Sequence, residues 1–91
     1  MAEEIRRLPI VNERGLHARA SAKFVETVER FDASAEVSRE GQTVLGDSIM
    51  GLLLLAAARG SEIEVRTQGR EATALMEALV SLVATRFGED R

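Results

Sequence analysis

Few side chains in this 91-residue chain can do covalent chemistry. It has one histidine, His17, and no cysteine. His17 stands in the run Gly15-Leu16-His17-Ala18-Arg19-Ala20. Imidazole is largely neutral near pH 7, and its free nitrogen can attack an electrophile. A phosphoryl group on that nitrogen is labile, so histidine can accept such a group and give it away. Arg19 adds a permanent cation whose forked donors match phosphoryl oxygens. A lone histidine at a helix start is also an ordinary cap or a solvated residue, and spacing alone leaves both readings open.

The second run of interest is Gly46-Asp47-Ser48-Ile49-Met50-Gly51. Serine ahead of an apolar segment is a helix N-cap, whose loss costs about 1 kcal/mol.

The elements around these runs follow from periodicity. Ile5 to Asn12 reads as a strand with Leu8 and Ile10 on one face. Pro9 inside it cannot donate to a ladder, which predicts an edge strand. Glu13-Arg14-Gly15 is a turn. From Ala18 to about Arg30, Phe24, Val25, Val28 and Phe31 recur at helical spacing. His17 then falls at the N-cap, where unpaired amides and a partial positive charge favour phosphate. The amides of Ala18 and Arg19 are the expected contacts. Ala33, Ala35 and Val37 alternate as a strand, Glu40-Gly41-Gln42 is a hairpin turn, and Thr43 to Leu45 returns. Ile49 to Ala58 is a short apolar helix with Gly60 as its stop. Glu62 to Thr67 alternates again. From Glu71, the residues Ala72, Leu75, Met76, Leu79, Leu82, Val83 and Phe87 continue at helical spacing.

The order is βαββαβα. The hairpin makes β2 and β3 antiparallel, and the helices must cover one face of a small sheet. The class is α+β, and residues 1–91 are expected to form a single domain, since smaller pieces could not bury a core. Ile49 to Leu55 is apolar nearly all round, so part of it should remain exposed as a docking surface. Methionine suits such a surface because it adapts to several partners.

Composition excludes several classes. Hydrophobic residues make up 45 % and charged residues 30 %, which is the composition of a soluble globular protein. The net charge is −3, the basic residues are dispersed, and there is no basic stripe or aromatic platform for nucleic acid. The longest apolar run is too short to cross a bilayer, and the first residues lack a secretory core. A cytoplasmic protein with no membrane insertion is the expectation. No glycine-rich phosphate loop, paired-carboxylate site or His/Cys cluster occurs, so neither a stand-alone enzyme, a metal nor another cofactor is expected.

At Gly15-Leu16-His17-Ala18-Arg19, Asp47-Ser48-Ile49-Met50-Gly51 and Gly60-Ser61-Glu62-Ile63 the sequence resembles the HPr family, the histidine-containing phosphocarriers of the bacterial phosphotransferase system. The resemblance implies an open-faced sandwich of four antiparallel strands with three helices on one face. It implies that His17 accepts phosphoryl, derived from phosphoenolpyruvate, from enzyme I and donates it to an enzyme IIA protein, with Arg19 assisting. Ser48 matches the serine that an HPr kinase/phosphorylase modifies in some members. Ile49, Met50 and Leu53 match positions that dock partners. A monomer is expected. A non-catalytic regulatory module, switched at Ser48, is the alternative. Two departures bear on partner choice. Ala20 stands where the family usually has proline, and Glu26 and Glu29 stand where sugar-pathway members often carry lysine. A nitrogen-type regulatory branch of the family therefore stays open beside sugar uptake.

Overall fold

The computed structural model describes residues 2–91; Met1, where the expected domain begins, lies outside them. Four strands, β1 (Ala2–Pro9), β2 (Ser34–Arg39), β3 (Gln42–Leu45) and β4 (Glu62–Gly69), form one antiparallel sheet in the order β1-β4-β2-β3. The helices are α1 (Ala18–Glu29), α2 (Ile49–Leu54) and α3 (Ala72–Ala84), followed by a short 3₁₀ turn over Arg86–Gly88. β1 lies at an edge, as Pro9 requires.

Alternation divides the sheet into two faces. Leu8, Ala35, Val37, Ile63 and Val65 point inward and are buried against Phe24, Leu52, Leu75, Met76 and Leu79 of the helices. The opposite face is charged and open. Arg7 bridges Glu62 and Glu64, and Arg66 bridges Glu3 and Glu36. These pairs are exposed and contribute little to stability. Burial of the inner face supplies the driving force, at roughly 25 cal/mol per Å² of apolar surface.

Several boundaries differ from the sequence expectation. β1 ends at Pro9, not Asn12. Ile10 still exchanges backbone hydrogen bonds with Gly60 and Ser61, whereas Asn12 folds into a turn closed by Gly15 N–H to Asn12 O. The hairpin turn is two residues, Glu40 and Gly41, both with positive φ, and Gln42 already pairs with Arg39. α2 stops at Leu54, short of Ala58, because Leu55 caps it and Ala56 turns left-handed at φ 50. Gly60 therefore does not stop that helix; it serves the turn into β4. α3 ends at Ala84, and Phe87 lies outside it with φ 55, although its ring is in the core. No helix among the described residues is long and apolar enough to cross a membrane.

Phe24 is fully buried and Ile5 is 53 % exposed. Phe24→Ala should cost about 3–5 kcal/mol in urea unfolding, and Ile5→Ala less than about 1 kcal/mol.

Candidate functional site

The loop before α1 is set by a close approach of two backbones. Leu16 N–H donates to Ala57 O at 2.9 Å, which joins this loop to the segment after α2. Gly15 adopts φ 66, and a Cβ there would lie 2.4 Å from Ala57 O. Glycine is required on both counts. Asn12 fixes the other side of the loop. It is fully buried, and its Nδ2 donates to Gly15 O at 2.8 Å and to Glu89 Oε1 at 3.1 Å.

Held this way, His17 becomes the N-cap of α1, with an extended backbone at φ −77 and ψ −177. Its carbonyl accepts the Ser21 N–H that opens the helix. Its Nδ1 accepts from Arg19 N–H at 3.3 Å. Its Nε2 lies 2.5 Å from Glu89 Oε2. An ionised carboxylate only accepts, so Nε2 donates and carries the proton. The lone pair is then on Nδ1, which faces the helix amides. The His17 side chain retains 22 % exposure, enough for a reagent to approach.

Glu89 is the residue that the sequence reading missed. It lies 72 positions away in the chain, in a tail without periodicity. Partial burial pushes its carboxyl up. The hydrogen bonds from His17 and Asn12, and the nearby charge of Arg14, outweigh that and hold it below its ordinary value of 4.5. Arg19 is exposed beside His17, and both line an open depression of about 530 Å³ with Arg14, Lys23, Glu89 and Arg91. Ala20, the departure from the usual proline, is fully buried, while Glu26 and Glu29 are exposed on α1.

Ser48 caps α2, its Oγ accepting from Gly51 N–H at 3.0 Å. Ile49 and Met50 are exposed and Leu53 is half-buried. Leu54 and Leu45, which sequence reasoning did not single out, are the more exposed leucines, at 65 % and 60 %. Leu52 and Leu55 belong to the core.

Comparison with known proteins follows this geometry. The family model described as "PTS HPr component phosphorylation site" matches residues 5–85. The phosphocarrier protein HPr of Xylella fastidiosa is 45 % identical over 83 residues, covering 91 % of this chain and 93 % of that protein. The HPr of Pseudomonas aeruginosa is 39 % identical over 83 residues, covering 90 % and 92 %. Among solved structures, an HPr from Thermoanaerobacter tengcongensis superposes with a TM-score of 0.92 at 32 % identity, covering 97 % of this chain and 99 % of that one. An HPr from Bacillus anthracis gives 0.85 at 37 % identity, covering 91 % and 99 %.

Two predictions arise from the loop and its acid. Gly15→Ala adds left-handed strain to a clash with a backbone carbonyl and should cost about 2–4 kcal/mol in urea unfolding. Gly41→Ala, with φ 82 and nothing within 4 Å of the added Cβ, should cost only about 1 kcal/mol. The lowered carboxyl of Glu89 contributes stability that is complete above its ordinary value of 4.5 and is lost as pH falls through its folded value. The difference in Tm between the native protein and Glu89→Gln should therefore be largest at neutral pH and shrink in acid.

Proposed function

We propose, for a chain that belongs to the HPr family of phosphotransferase-system phosphocarriers, that His17 is its phosphoryl-carrying residue. The observation that carries this reading is the pair of contacts on the His17 ring, Nε2 against Glu89 and Nδ1 facing the Arg19 amide at the N-terminus of α1. In the proposed step Nδ1 attacks the phosphorus of a phosphohistidine on enzyme I. A P–N bond forms at Nδ1 as the donor's P–N bond breaks, and the donor nitrogen keeps the electron pair. The Arg19 amide that pointed at Nδ1 is then free for a phosphoryl oxygen, with the Ala18 amide beside it and the Arg19 guanidinium as a second donor. Reversing the step onto a histidine of an enzyme IIA protein completes the transfer. Residues 1–91 act in this reading as one phosphocarrier domain in the cytoplasm, monomeric and not a stand-alone enzyme, in sugar uptake or in nitrogen-type regulation.

Ile49, Met50 and Leu53 supply partner docking, joined by Leu54 and Leu45. The exposure of Ile49, Met50, Leu54 and Leu45 supports this, since apolar side chains left in water mark contact surfaces. Ser48 is the proposed regulatory phosphorylation site for an HPr kinase/phosphorylase. Phosphate on Ser48 would sit beside the docking residues and oppose acidic partners.

Incubation with enzyme I and phosphoenolpyruvate should label the native protein with acid-labile, base-stable phosphate. His17→Ala should abolish the label, and persistence of label in that variant would refute the assignment. Arg19→Ala should slow labelling by roughly 10- to 100-fold without preventing it.

A further inference from the structure

The C-terminal tail is built over the His17 loop. Residues Arg86, Phe87 and Gly88 all have positive φ, so the chain reverses sharply after α3. The reversal is held from both sides. The Phe87 ring is buried in the core, and Lys23, the one lysine of the sequence, donates from Nζ to Phe87 O at 2.6 Å. Beyond it, Glu13 N–H donates to Arg91 O at 3.0 Å, tying the end of the tail to the turn before His17. Between these two ties lies Glu89. One carboxylate oxygen receives Asn12 Nδ2 and the other receives His17 Nε2. The family match ends at residue 85, before this strap begins.

We infer that Glu89 is a positioning residue for phosphoryl transfer, acting through the His17 ring, and that the strap 86–91 exists to hold it there. This inference rests on the carrier reading of His17. A neutral imidazole has two tautomers, and the partner of one nitrogen decides which nitrogen keeps the lone pair. A carboxylate fixed at Nε2 keeps the proton there and leaves Nδ1 as the nucleophile. Its two hydrogen bonds also stop ring rotation, because Asn12 is itself anchored on Gly15 O. The same proton matters on the way out. When the P–Nδ1 bond breaks, the electron pair returns to Nδ1 while Nε2 keeps its hydrogen. The leaving group is then a neutral imidazole, not the far more basic imidazolate. The carboxylate favours that form at both stages.

Nitrogen-15 imidazole shifts of the isolated protein read the tautomer directly and need no partner. The native ring should show a protonated Nε2 and an unprotonated Nδ1. Glu89→Ala should move the shifts measurably toward the average of the two tautomers, with the Arg19 amide still favouring protonated Nε2. Its phosphoryl uptake from phosphorylated enzyme I should fall roughly tenfold, well short of the ~10⁴ lost when the His-orienting carboxylate of a serine protease is replaced. The loss is smaller because Arg19 N–H still faces Nδ1. Glu89→Gln, whose amide oxygen can accept from Nε2, should restore part of both readouts. Backbone amide spectra unchanged away from residues 12–19 and 86–91 confirm that the variants are folded. A native ring protonated at Nδ1 would overturn the proposal. So would a Glu89→Ala ring whose tautomer is unchanged, whether or not uptake falls. Failure of the native protein to accept phosphoryl while its Nε2–H is in place would count against the carrier reading of His17, a separate result.

Discussion

The hydrogen bond from Leu16 N–H to Ala57 O is the contact on which the site depends. It joins two segments that are not neighbours in the sheet, and it forms only because Gly15 has no Cβ to strike that carbonyl. The early end of α2 serves the same contact. Were that helix continued to Ala58, the Ala57 carbonyl would point along its axis. The left-handed turn at Ala56 releases it toward Leu16 instead. Position and orientation of His17 then follow, since Leu16 is buried and its neighbour has only the helix end to cap.

The His17 ring is thereby held at two ends by groups of opposite kind. A backbone amide faces one nitrogen and a carboxylate faces the other. A ring between two donors would have no proton to hold, and one between two acceptors would be favoured as a cation. The amide and acid together specify one neutral tautomer. The cost falls on Glu89, whose partial burial is disfavoured and is offset by the hydrogen bonds and charges that keep it ionised.

Much of this fold was legible from the sequence, because its elements are short and strongly periodic. The βαββαβα order, the edge position of β1, the caps at His17 and Ser48 and the apolar stripe that carries Phe24 all rest on interactions within a few residues. The missing parts depend on distant ones. Asn12 reads as the end of a strand until Glu89 and Gly15 give its amide a role. Phe87 continues the apolar spacing of α3, and periodicity cannot register that the helix ends three residues earlier while the ring still reaches the core. The family resemblance singled out Leu53 on α2, although its neighbour Leu54 is the more exposed of the two. Nothing local marks Glu89, since an acid in a polar tail is the commonest of residues. Its importance comes from the reversal at Arg86–Gly88, and non-glycine residues with positive φ leave no simple signature in sequence.

The charges around the ring fit a carrier better than a trap. The depression is lined by Arg14, Arg19, Lys23 and Arg91 on one side of the balance and by Glu13, Glu89 and Asp90 on the other. Lys23 is committed to the Phe87 carbonyl, so it steadies the tail and is not free to grip a phosphate. A site with all four cations unopposed would hold a dianion tightly, and tight binding of the phosphorylated form lowers the energy of the very state that must be given up. Catalysis of transfer requires stabilising the passage of the phosphoryl group more than its residence. If His17 carries the phosphoryl group as proposed, a near-balanced shell, with the Arg19 amide facing the ring and the Arg19 side chain exposed beside it, would leave the group stable enough to travel and weakly enough held to leave. On the carrier reading of His17, the strap would add a second feature that favours departure, a proton kept on the far nitrogen of the ring.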